Sequence, residues 1–145
     1  MADVKLVLIP CSGHLWLAYP EVLLARLYPY APLLSVESNS EFVIGAMLVQ
    51  NEKMPVVDIT VKQDEGQYDG LMRLALIFTI KNLSYQHYAI KTYGEPIQVA
   101  VSEQQIHTLS EGDHPFIAQY CTIDGHEDKT VAILDLLKFE DDLKI

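Results

Sequence analysis

Cys11, Ser12, Gly13 and His14 place a thiol, a hydroxyl and an imidazole within four consecutive positions. A cysteine nucleophile needs a base within hydrogen-bond reach and a third group to orient that base, and adjacency in sequence supplies neither. Joined to Cys121 and His126, the same residues give a C-x2-H plus C-x4-H set whose spacing is tolerable for tetrahedral zinc. Cys121, however, lies inside the strand-like run "IAQYCTI", where a free cysteine behaves as a small hydrophobe. The reading that asks least of these residues is a two-residue hairpin turn, Ser12-Gly13, flanked by Cys11 and His14. A small β-barrel metal-binding protein or hydrolase using Cys11, His14, Cys121 and His126 stands as the competing reading.

Other chemistry-bearing residues are dispersed. His87, His107, His114 and His126 fall among polar loop residues and read as solvated surface. Asp58 sits in mid-strand, but on the polar side of a clean alternation. The seven glycines never meet the spacing of a phosphate-cradling loop, which argues against a nucleotide enzyme. Neither a catalytic set nor a cofactor or metal site is expected.

The elements that would position these residues are mostly strands. In "VVDITVK", Val57, Ile59 and Val61 alternate with Asp58, Thr60 and Lys62; "PIQVAVS" and "HYAIKTY" repeat the period of two. Turn residues separate such runs at short intervals, giving about nine strands and a barrel or sandwich rather than crossovers with helices. Two segments depart from this pattern. "PEVLLARLY" opens with Pro20 and Glu21 and predicts one or two helical turns after the first hairpin. "DLLKFEDDLKI" predicts a short closing helix, with Asp135 as N-cap and Leu136, Leu137, Phe139 and Leu143 as its apolar stripe. Long connections at residues 28–41 and 62–71 are of the length more often tied to binding. Each half shows a similar order of strands and hairpins, which points to two lobes.

Composition narrows the class. The chain has 145 residues, half of them hydrophobic, which suits a single domain. Its apolar runs are too short to span a bilayer, and Asp3 with the early polar turn does not suit a secretory signal, so a cytoplasmic location with free thiols is expected. Twenty acids against ten bases give a formal charge of −10. Such a surface repels nucleic acid and anionic membranes and steers in a partner with a basic face.

"FVIGAMLV", residues 42–49, is apolar at nearly every position, so both faces should be covered, by core on one side and by a loop or a partner on the other. It belongs to an ordered series: "LWLAYPEVLLARL", "YPYAPLLS", "IGAMLVQNEKMPVVDITV", "RLALIFTIKNLSYQHYAIKTYGEPIQV" and "TVAILDLLKFEDDL". This order resembles the CheW-type coupling proteins of bacterial chemosensory arrays, over nearly the whole chain. The most specific matches are Gly45 with Pro55, Val56, Val57 and Asp58, and Ile133, Leu134 and Asp135 near the end. Small size and acidity make it most similar to the accessory couplers of type IV pilus chemosensory systems, of the ChpC or PilI kind.

The resemblance implies a mainly β fold of two SH3-like, five-stranded β-barrel lobes, about residues 22–80 and 81–125, completed by the terminal segments within one domain. It also implies a non-enzymatic adaptor, monomeric in isolation, that links the signalling tip of a methyl-accepting chemoreceptor to the regulatory domain of a CheA-type histidine kinase in twitching motility. An apolar groove between the lobes would take a receptor helix, and a strand edge or lobe end would pack on the kinase. The residues implied are Val22, Leu24, Val43, Gln50 and Met54. Gln50 and Asn51 stand where the family carries an Arg-Gly pair, which keeps hydrogen bonding but loses the charged bidentate fork.

Overall fold

Short apolar runs bounded by turns can satisfy their backbone groups only by pairing, and here they pair into two sheets. The computed structural model describes residues 3–12, 15–38, 40–59, 72–80, 86–114 and 116–143. Among these are eleven strands, two more than expected. The first sheet contains β3 (Leu24–Pro29), β4 (Val43–Val49), β5 (Glu52–Val57), β6 (Met72–Phe78) and β7 (His87–Tyr93), in the order β3-β6-β7-β5-β4. The second contains β1 (Val4–Ser12), β2 (Leu15–Pro20), β8 (Ile97–Val101), β9 (Ile106–His114), β10 (Ile117–Ile123) and β11 (Thr130–Leu134), in the order β8-β1-β2-β11-β10-β9. All pairs are antiparallel except β5 with β7 and β2 with β11.

The division between sheets falls after Tyr93, not near residue 80 as expected. Strand β7 pairs with β6 along its whole length, from Met72↔Tyr93 to Phe78↔His87, and so belongs to the first lobe. The "PEVLLARLY" segment forms only one 3-10 turn, Glu21–Leu23, before becoming β3. Its apolar residues pack better as a strand edge, with Leu24 opposite Ile77 and Leu27 opposite Ala75. The closing helix forms as expected: α1 spans Leu136–Asp142, and the Asp135 carboxylate accepts the Lys138 backbone N–H at 3.2 Å. In the opening hairpin Ser12 pairs with Leu15; Gly13 and His14 lie outside the described residues.

Three cores result. The first lobe encloses Met54, Val56, Leu74, Leu76 and Ala89; the second encloses Leu8, Ala18, Val101, Cys121, Ile123 and Val131. Between the lobes lies a larger shared core to which β1 and β2 contribute Val7, Ile9, Leu17 and Tyr19, while β6 and β7 contribute Ala75, Ile77, Tyr88 and Ile90. Strands in contact with two cores are buried on both faces, so they read as continuous apolar runs. The Phe139 ring of α1 closes the shared core, with its centroid 4.9 Å from Phe116 and 5.7 Å from Tyr88.

The same packing corrects the faces assigned to two strands. Asp58, the residue after β5, is buried, its backbone N–H donated to the Phe42 carbonyl at 2.9 Å. Tyr93 donates its hydroxyl to the Asp58 carboxylate at 2.8 Å, and the Lys91 ammonium is 3.9 Å away, held over the rings of Tyr30 and Tyr93. Ala89, opposite Tyr88 and Ile90 in the alternation of β7, is fully buried in the first lobe's own core.

Candidate functional site

Strand directions determine which loops meet. At one end of the first sheet lie the start of β3, the end of β6, the starts of β7 and β5, and the end of β4. Val22 projects from the 3-10 turn just before β3 and is 82% exposed. Phe78 and Ile80, at and beyond the end of β6, are 42% and 46% exposed. Leu137 on α1 is 54% exposed, and the next turn of that helix places the Glu140 carboxylate on the Ile80 backbone N–H. Phe78 stacks at 4.7 Å on the cross-strand His87 ring.

Across the same end, Gln50 and Asn51 form the two-residue turn between β4 and β5, with φ of 52° and 66°. Positive φ at both central residues is the geometry whose twist matches that of paired strands, and asparagine tolerates it better than glutamine does. Glu52, beside the turn, accepts the Gln86 backbone N–H at 2.8 Å. The result is an end with exposed aliphatic and aromatic side chains, an amide-bearing turn and carboxylates.

Two of the sequence-derived residues, Val22 and Gln50, are exposed at this end, and Leu24, half-buried, enters β3 beside them. Val43 is at the opposite end of β4, paired with Val57. Met54 is fully buried in the first lobe's core and can act only from beneath the surface. Phe78, Ile80 and Leu137, also exposed, were not among the sequence-derived residues. In "LALIFTI" the apolar run continues without a break, and nothing in the pattern marks where the core ends and the open sheet end begins.

One apolar groove lies on the first sheet itself. It has a volume of about 410 Å³ and lies where the first sheet curls toward closure, between Tyr28 and Pro29 of β3, the segment Ala31–Leu34, and Ala46–Leu48 of β4. Leu34 and Ala46 exchange two backbone hydrogen bonds of 2.8 and 2.9 Å, so the loop after β3 straps the outer edge of β4 and supplies the cover that "FVIGAMLV" requires. Gly45 permits this approach: a Cβ there would lie 2.8 Å from Leu33 Cβ and 2.9 Å from the Leu34 carbonyl oxygen. The 62–71 connection lies outside the described residues.

The two cysteines of the competing reading lie in different cores. Cys11 faces the shared core and Cys121 the second lobe's core, both as free thiols. Burial pushes the Cys11 thiol far above the ordinary range, with the Asp58 charge adding to the effect, and burial raises Cys121 as well. His126 lies in the β10–β11 turn, and among the described residues no group of three or more His, Cys, Asp or Glu is placed to hold a metal. None of their helices is long and apolar enough to cross a membrane.

No protein-family model and no curated protein matches the chain. Among solved structures, its fold is similar to that of the scaffolding protein TtCheW from Thermoanaerobacter tengcongensis, with a TM-score of 0.69 over 94% of this chain and 86% of that one. Sequence identity is 14%, so the likeness is one of fold. The mainly β, two-lobed CheW-like architecture is thus the observed one.

Proposed function

We propose that this chain is a non-enzymatic adaptor of a chemosensory system, coupling a methyl-accepting chemoreceptor to a CheA-type histidine kinase in the cytoplasm. The observation that carries the reading is the exposed apolar end of the first sheet, on a scaffold whose fold is similar to that of a scaffolding protein over nearly its whole length. Val22, Phe78, Ile80 and Leu137 supply aliphatic and aromatic anchors for a helix of the receptor tip, and Gln50 supplies a hydrogen-bonding rim. A few such anchors carry most of the energy of a standard interface of about 800 Å² per partner. The kinase's regulatory domain packs on a strand edge or lobe end elsewhere. The acidic surface favours partners with basic faces. Small size and the amide pair at Gln50-Asn51 support an accessory coupler of a type IV pilus system, acting as a monomer.

The test is a pull-down of the full chain against the regulatory domain of the host's CheA-type kinase and, separately, against the receptor signalling tip, at low and physiological salt. Saturable binding of both that survives physiological salt is expected. Binding of neither overturns the adaptor reading. Gln50→Arg, which restores the charge found in the resembling family, is expected to tighten receptor binding; unchanged affinity would move the receptor contact away from this turn.

A further inference from the structure

Glu140 is 1% exposed, and a carboxylate so deeply buried is costly unless its oxygens are satisfied. Its Oε1 and Oε2 lie 3.1 and 3.0 Å from the backbone nitrogen of Ile80. A leucine at this position of α1 would pack at lower cost. What only an acceptor side chain supplies is a partner for backbone N–H at the end of β6, and a charged acceptor makes the stronger bond.

Gln86, where the chain returns to the sheet to begin β7, is held in the same manner. Its backbone N–H goes to Glu52 Oε1 at 2.8 Å, while its carbonyl accepts the Thr79 backbone N–H at 2.9 Å and the Thr79 hydroxyl at 3.2 Å. One carboxylate thus holds each flank of the β6–β7 connection. They come from different places: Glu52 from beside the Gln50-Asn51 turn, Glu140 from the helix that closes the lobe–lobe core.

We propose that Glu140 and Glu52 are positioning residues for the docking end, clamping the backbone on either side of the β6–β7 connection so that Phe78 and Ile80 are presented in a fixed arrangement. The inference rests on the docking reading above. It adds a coupling. Helix α1 is seated by Phe139 and Leu143 in the shared core, by Asp142 accepting the Ser40 hydroxyl at 2.5 Å, and by Asp135 donating its backbone N–H to the Phe116 carbonyl at 2.8 Å. Because Glu140 belongs to this helix, the shape of the docking end is tied to how the two lobes are seated against each other.

The experiment pairs amide hydrogen exchange with binding of a receptor signalling-tip fragment to the full-length chain. In Glu140→Ala, the Ile80 amide is expected to exchange at least tenfold faster and the tip to bind about tenfold more weakly, as loss of a charge-assisted bond implies. Glu140→Gln keeps an acceptor oxygen and should recover most of both effects; it also serves if the alanine variant does not fold. Glu52→Ala, at a half-exposed site, should weaken binding about two- to threefold. Val101→Ala, in the second lobe's own core, is the control: it lowers global stability and leaves tip affinity unchanged. Wild-type binding with an affinity loss in Glu140→Ala no larger than in the Val101 control overturns the clamp alone. Failure of the wild type to bind the tip overturns the docking reading, and the clamp falls with it.

Discussion

Across the first lobe the strands run β3-β6-β7-β5-β4, and across the second β8-β1-β2-β11-β10-β9. Step by step the pairing sense is the same: antiparallel, antiparallel, parallel, antiparallel, after which the second lobe adds β9. The first hairpin of the chain therefore occupies in the second lobe the place that β6 and β7 occupy in the first. By this equivalence the turn after Ser12 corresponds to the β6–β7 connection, and the β10–β11 turn corresponds to Gln50-Asn51. The two lobes finish these matching ends differently. The first presents Val22, Phe78 and Ile80; the second presents Asp124, Glu127 and Asp128, with Asp124 paired to His107 at 2.9 Å and Lys129 over the Trp16 ring. One backbone arrangement, set by similar internal cores, thus carries exposed apolar side chains at one end and exposed acids at the other. The difference lies in side chains at the loop ends and not in the fold.

The largest expected effect tests whether the lobes are one cooperative unit. Phe139→Ala removes the ring that closes the shared core and should cost about 3–5 kcal/mol in denaturant melts, with probes in both lobes losing structure together. Separate transitions would show that the lobes are held by their private cores alone. Gly112→Ala strikes only the second lobe: its Cβ would land on the Ile117 carbonyl across the β9–β10 pair, where the register shifts, for an expected loss of about 3 kcal/mol.

Next comes the contrast between surfaces. Ile80→Asp should weaken receptor-tip binding at least tenfold with stability changed by less than about 0.5 kcal/mol, whereas Leu109→Asp, on exposed β9 of the second lobe, should leave binding unchanged. Equal effects would erase the distinction between the ends.

Alkaline pH probes the shared core. Burial raises the Cys11 thiol, and burial with the neighbouring Tyr88 raises the Tyr19 hydroxyl, above their unfolded values. Both groups then bind protons more tightly in the native state. Their contribution is complete below the unfolded values, near 8.5 for cysteine and 10 for tyrosine, and is lost as pH rises. Stability should fall above about pH 9 by up to about 1.4 kcal/mol per pH unit for the Cys11 thiol, and Cys11→Ala should make that first segment of the slope shallower, leaving the share of Cys121. The smallest effect expected is at the β4–β5 turn. Gln50→Asn relieves part of the left-handed strain and should stabilise by about 0.5–1 kcal/mol while weakening receptor binding, if the longer amide is kept for contact.

Much of this architecture was legible locally. A period of two marks strands because alternate side chains face opposite sides of a sheet, and "PIQVAVS" behaves accordingly, with Val101 buried and Gln98 and Ala100 exposed on edge strand β8. Asp135 announces α1 because a carboxylate followed by an apolar stripe can satisfy a free helical N–H. The ordered series from Gly45 to Asp135 carried the two-lobed, CheW-like fold. Tertiary structure alone decided the rest. The pairing of β2 with β11 joins residues more than a hundred apart, and no local pattern encodes which distant strand will supply a missing neighbour. The burial of Asp58 and Glu140 follows from elements that pack over them, so both acids are interior acceptors. Phe78 and Ile80 are as apolar as the residues before them; they are exposed because the sheet ends there, and the end of a sheet is a property of its neighbours rather than of its own sequence.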